Sequence, residues 1–135
     1  MRRLRLPVGL IVVLAGVAVL AGSVFVSSGV HRIAVAPERQ IAGADPERGR
    51  EAILRYGCGS CHSVAGIRQA RGRVAPSLTG IAERSYIAGR LPNIPDNMIR
   101  WLQNPQAFVP GTAMPNLGVS EGDAADMAAY LYALR

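Results

Sequence analysis

The chain has no lysine; all 15 of its basic side chains are arginine. No acid precedes Glu38, so Arg2, Arg3, Arg5 and Arg32 stand unbalanced and account for most of the formal +6. From Glu38 onward 11 arginines face 9 acids, a surplus of only +2. Aromatics make up 5% of the residues and no basic stripe is interleaved with them, which excludes a nucleic-acid-binding balance. No stretch alternates strongly enough to suggest a sheet, which leaves an all-α class. Cysteine and histidine are equally scarce, at two each. Both cysteines and one histidine fall within five positions, in "CGSCH" from Cys58 to His62.

Charge is also missing from Val8 to Val26, 19 residues that would reach about 28 Å as a helix, close to a bilayer core. Three arginines precede this run. Two readings compete, and both export the rest of the chain. A retained transmembrane helix uses the full length, with Arg2, Arg3 and Arg5 held on the cytoplasmic side. A cleavable signal peptide would need a small-residue cut site such as Val19-Leu20-Ala21 or Ala34-Val35-Ala36. Residues 1–30 are therefore an anchor or signal peptide. Residues 31–44, "HRIAVAPERQIAGA", form a tether without sustained period, and 45–135 form the folded domain.

Within that domain Asp45 is a natural N-cap, Pro46 suits the first helical position, and Gly57 ends the first helix. Residues 63 to 92 are rich in Gly and Pro and read as irregular, with a short helix near Leu78 to Arg84. "PDNMIRWLQNP" is a second long helix, opened by Pro95 and Asp96 and stopped by Pro105. "FVPGTAMPNLGV" reads as a loop. Ser120, with Asp123 three residues on, opens a final helix whose apolar stripe is Met127, Tyr130, Leu131 and Leu134.

Four chemistries could use "CGSCH". A thioredoxin-like dithiol needs a βαβ pattern, which is absent. Zinc needs four ligands, and His31, the other histidine, lies across the tether. A plain disulfide would leave His62 incidental. Covalent haem attachment uses all three residues. Thiols three apart on a helical turn point the same way and can each add to one porphyrin vinyl group. His62 then lies beneath the iron. For the other iron position, Met98 and Met127 fall on apolar helix faces, where a core role suffices. Met114 sits instead in the proline-pinned loop "VPGTAMPNL", with no helical face to bury it. With His62 and Met114 as metal ligands the iron is six-coordinate, its potential is raised, and no position remains for substrate.

"GCGSCH", "APSLTGIAER", "WLQNPQAFVPGTAMP" and the final helix follow one another as in class I cytochromes c, which the chain resembles over about Asp45 to Arg135. It also resembles cytochrome domains associated with bacterial haem–copper oxidases, notably in "LPNIPDNMIRWLQNPQAFVPGTAMPNLGVS" and "AAYLYAL". The resemblance implies a fold of three to five helices wrapped around one covalent haem c, here behind an N-terminal transmembrane helix. The first and last helices would cross, with Gly49 or Ala52 meeting Tyr130 or Leu131. The Pro76 carbonyl would accept from His62, and Leu78 and Trp101 would pack on the haem. Arg84, Tyr86 and Thr112 are candidates for propionate contacts. Ala75 stands where the family often has Gly, so the turn there would differ. The final-helix tyrosines Tyr130 and Tyr132 read as packing residues. The implied function is that of a membrane-tethered carrier of single electrons in a respiratory chain, not an enzyme. Its haem domain would lie on the periplasmic side, with redox partners such as a terminal oxidase or an upstream donor. Arg68, Arg71 and Arg73 form either a solvated loop or a surface that steers an acidic partner. The rival readings are a permanent haem subunit of an oxidase or dehydrogenase complex, a haem-based sensor, and a thiol oxidoreductase.

Overall fold

The computed structural model describes residues 39–134; the expected anchor and most of the tether lie outside the described residues. Among the described residues no helix is long and apolar enough to cross a membrane.

Helix α1 spans Pro46–Arg55. The Asp45 side chain accepts from the Glu47 amide at 2.8 Å, and Pro46 occupies the first turn, where no N–H is needed. Gly57, at φ 70°, turns the chain out of the helix and donates to the Leu54 carbonyl at 3.1 Å. Two short 3₁₀ turns come next, Cys58–Ser60 and Ile81–Glu83. Helix α2 spans Pro95–Gln103 and buries Met98, Trp101 and Leu102. Pro105 ends α2 as expected, but it also opens a four-residue helix, α3, at Pro105–Phe108. Asn104 caps that helix by accepting from the Ala107 amide at 3.1 Å. Phe108 therefore lies in a helical turn and not in the loop assigned to it. Helix α4 spans Glu121–Ala133. Ser120 Oγ accepts from the Asp123 amide at 3.2 Å and donates to Asp123 Oδ2 at 2.9 Å, a shortened capping box.

The purely helical expectation needs one correction. Strands β1, Tyr86–Ile87, and β2, Leu91–Pro92, pair antiparallel, with Tyr86 opposite Pro92 and Ile87 opposite Leu91. Two-residue strands carry no readable alternation. Their turn relies on Ala88 and Gly89, both at positive φ (48° and 67°), the requirement of a tight hairpin.

Helices α1 and α4 cross at Gly49. A Cβ there would overlap the Asp126 carbonyl and sit 2.9 Å from the Met127 amide. The Gly49 contact lies a turn earlier on α4 than the Tyr130 or Leu131 contact expected for that residue. Asp126 is only 8% exposed and is fully answered: Arg48 reaches it through Nε (2.7 Å) and Nη2 (2.9 Å), and the Asp45 amide donates at 2.7 Å. The Arg48 hydrogen bonds hold the Asp126 carboxyl below the usual carboxylate range. Asp123 is held low as well, first by Tyr56 Oη donating at 2.8 Å and next by Ser120. Helix α4 also packs on α2 and on the 81–83 turn, which explains why it is buried on nearly all sides rather than along one stripe.

Both tyrosines of α4 do more than pack. Tyr130 donates to the Ala65 carbonyl at 2.9 Å. Tyr132 donates to Asn93 Oδ1 at 3.0 Å, and the buried Asn93 amide donates to the Ile81 and Arg84 carbonyls at 2.7 and 2.8 Å. Burial pushes the Tyr132 phenol up to about 12, so it remains a donor throughout the physiological range.

Replacing Gly49 by Ala is expected to cost about 1–3 kcal/mol through overpacking, a fall in Tm of roughly 5–20 °C by thermal melt. Carboxyls with lowered pKa stabilise the fold above the ordinary carboxyl value, and that gain is lost as pH falls through their folded values. Asp126→Asn should therefore lower Tm at neutral pH, and its difference from wild type should shrink once pH drops below about 4.

Candidate functional site

The helices close around a cavity of about 490 Å³. Its wall takes Ile53 from α1, Met98, Trp101 and Leu102 from α2, Met127 and Leu131 from α4, and Ile87 and Ala88 from the hairpin. Cys58, Cys61 and His62 line one part, and Thr112 to Pro115 with Leu117 line another. Among the described residues no Asp, Glu or Arg lines the cavity. Such a wall suits a large apolar ligand with a few polar anchors.

The "CGSCH" turn is helical: the Cys61 and His62 amides both donate to the Cys58 carbonyl, at 3.3 and 3.0 Å. The next loop folds back against it. Gly72 donates to the Gly59 and His62 carbonyls at 3.0 and 3.2 Å, and Val74 and Ala75 both donate to the Cys61 carbonyl at 3.1 and 3.0 Å. A Cβ on Gly72 would lie 2.6 Å from the Cys61 and Ser60 carbonyl oxygens, so the backbones touch where only glycine fits. This contact brings the Pro76 carbonyl to His62 Nδ1 at 2.6 Å. A carbonyl can only accept, so Nδ1 carries the hydrogen and the Nε2 lone pair is free for a metal. Ala75 does not have a positive φ. The alanine that departs from the common family pattern therefore leaves the carbonyl in place.

Burial pushes the Cys58 thiol up, the reverse of the lowered pKa that a redox dithiol uses. Among the described residues no three His, Cys, Asp or Glu side chains converge as a zinc ion would require.

Met114 is half-buried and lines the cavity, as do Pro76, Leu78, Trp101 and Thr112. Met98 and Met127, read as core, are buried at 2% and 1% exposure and also form part of the wall. Arg84 is not brought to the cavity. Its Nη2 donates to the Ser77 carbonyl at 2.6 Å, bracing the Leu78 segment from outside. Tyr86 is 57% exposed and also lies off the wall. Sequence reasoning missed the mouth of the cavity: Val74 and Leu117 line it while 82% and 41% exposed. Their one sequence signal is an apolar residue stranded in a polar or glycine-rich loop.

A sequence profile of the cytochrome c family matches residues 46–135. The chain belongs to the cytochrome c family. It is 36% identical over 89 residues to cytochrome c oxidase subunit 2 of Alkalihalophilus pseudofirmus, covering 65% of this chain and 25% of that protein. It is 38% identical over 66 residues to the same subunit of Bacillus sp. strain PS3, covering 47% of this chain and 18% of that protein. Cytochrome c-554 of Methylosinus trichosporium is 33% identical over 111 residues, covering 73% of this chain and 81% of that protein. The chain thus spans at most about a quarter of these two oxidase subunits, and most of cytochrome c-554. Cytochromes c transfer electrons and carry covalently bound haem c, and Cys58 and Cys61 have the spacing that attachment needs. The residues present fit the group: an uncharged cavity, two thiols on one turn, and an imidazole with its metal-facing nitrogen free.

A Cys58→Ser/Cys61→Ser double variant, produced in a host that matures cytochromes c, is expected to keep no haem through a denaturing gel, whereas wild type keeps it. Retained haem-dependent staining in the variant would contradict the attachment.

Proposed function

We propose that this cytochrome c is a membrane-tethered carrier of single electrons in a respiratory chain, and that His62 and Met114 would hold its haem iron. The observation that carries this reading is their meeting in one cavity: an imidazole whose tautomer Pro76 dictates and a thioether from a separate loop. Bound haem supplies the one-electron couple. The chain supplies the rest. Pro76 orients the His62 ring and fixes its tautomer. Leu78, Trp101, Ile53 and Leu131 keep water from the cavity. Haem held by His62 and Met114 would have no position left on the iron for a substrate, which supports a carrier rather than an enzyme.

The uncharged run Val8 to Val26, behind Arg2, Arg3 and Arg5, supports an anchor with the haem domain on the extracytoplasmic, periplasmic side. Residues 31–44 supply the tether between them. The likeness to oxidase subunits supports a terminal oxidase as the partner, whether this chain docks transiently or stays bound within a complex. Arg68, Arg71 and Arg73 are exposed, and among the described residues none of them has an ion pair. Arg73 adjoins Val74 at the cavity mouth, so these charges stand where an acidic redox partner would be steered.

Reduced-minus-oxidised visible spectra of cell fractions test the assignment. A six-coordinate haem c signal confined to membranes, without carbon monoxide binding to the reduced protein, is the expected result. A signal in the soluble fraction would refute the tether, and rapid carbon monoxide binding would favour a sensor. Reversing Arg68, Arg71 and Arg73 to Glu should slow reaction with an oxidase about tenfold at low salt and flatten the salt dependence. An unchanged, salt-independent rate would leave the three arginines as solvated surface.

A further inference from the structure

The loop that carries Met114 has little to hold it. Among the described residues no residue from 113 to 119 takes part in a backbone–backbone hydrogen bond. Its local bonds are Thr112 N–H to the Val109 carbonyl at 3.0 Å and a long contact of 3.4 Å from the Met114 amide to Thr112 Oγ1. Two prolines, Pro110 and Pro115, limit its conformations but fasten it to nothing. One side chain outside the loop does fasten it. Gln106 Nε2 donates to the Thr112 carbonyl at 2.7 Å and to the Met114 carbonyl at 2.8 Å, while its Oε1 accepts from the Gly111 amide at 3.0 Å. The amide has one orientation that satisfies all three; the flipped form would set an oxygen against two carbonyls.

The base of this clamp is firm. Gln106 sits in α3 between Pro105, which is fully buried, and Ala107, whose amide Asn104 caps. Arg100 of α2 lies over the Phe108 ring at 5.0 Å, tying α3 to α2 at its far end. A single amide therefore transmits the position of the α2–α3 corner to the backbone on both sides of Ala113.

We infer that Gln106 is the positioning residue for Met114: it sets how firmly the thioether is presented to the cavity and hence how rarely the sulfur leaves the iron. This rests on the reading of Met114 as the axial ligand. Without the clamp the loop keeps its sequence and its methionine but swings on Pro110 and Pro115, and the sulfur competes less well with an external ligand.

The test compares haem-loaded wild type, Gln106→Leu, which keeps the bulk and removes all three bonds, and Gln106→Glu, which keeps only the acceptor for Gly111. Gly49→Ala serves as a control that loses global stability without touching the loop. The readouts are the sulfur-to-iron charge-transfer absorption of the oxidised protein and the rate of carbon monoxide combination with the reduced protein. Gln106→Leu is expected to combine at least about tenfold faster, equivalent to about 1.4 kcal/mol of lost restraint. Gln106→Glu should also be faster, and Gly49→Ala should match wild type. If wild type shows the absorption and Gln106→Leu neither weakens it nor speeds combination, the positioning role is wrong while the ligand assignment stands. A rise in Gly49→Ala equal to that in Gln106→Leu would overturn the role too, since lability would then follow overall stability. Absence of the absorption from wild type would instead remove Met114 as the ligand, and the inference with it.

Discussion

Everything about the site depends on the hydrogen bond from His62 Nδ1 to the Pro76 carbonyl. It decides which imidazole nitrogen is free and which way the ring faces. The bond exists because residues 72–78 lie flat against the "CGSCH" turn, and they can lie there because Gly72 has no Cβ to meet the Cys61 backbone. Three amide donors to the Cys61 and His62 carbonyls then lock the approach. A motif usually described by its cysteines and histidine is thus completed by a glycine ten residues beyond His62 and a proline fourteen beyond it. Neither contributes a side-chain functional group.

The same cavity organises the fold. Every long helix donates wall residues to it, and the crossing of α1 with α4 brings two of those helices together at Gly49. Among the described residues Asp, Glu and Arg side chains are kept out of the wall and used behind it. Asp126 is consumed by Arg48 and the Asp45 amide at the crossing, and Asn93 ties Tyr132 of α4 to the backbone of the 81–84 segment. A small domain built this way would gain apolar burial from a haem at its centre, which would couple binding to folding.

Much of this was legible in the sequence because the signals are local. Asp45 with Pro46, Ser120 with Asp123, and the stop at Pro105 mark helix ends through chemistry that acts over two or three residues. "CGSCH" and the isolated Met114 are equally local. What could not be read depends on elements too short to show a pattern and on side-chain contacts that form only in the fold. The hairpin at 86–92 has strands too short to show a period. Arg84, a candidate for a propionate, also braces the Ser77 carbonyl through Nη2, a contact the sequence does not announce. Tyr130 and Tyr132 looked like packing residues, yet their hydroxyls reach Ala65 and Asn93, 65 and 39 residues away. The grip of Gln106 on the 111–114 segment shows only once α3 has formed, and a four-residue helix leaves almost no trace in a sequence.

The most direct test of the central claim is proton NMR of the reduced, haem-loaded protein, with the methionine methyls assigned by substitution. A methyl and adjoining methylenes of Met114, moved far upfield by the porphyrin ring current, together with a strongly protected His62 Nδ1 proton, would match the account. Met114 at its ordinary position, or Met98 or Met127 shifted in its place, would contradict it.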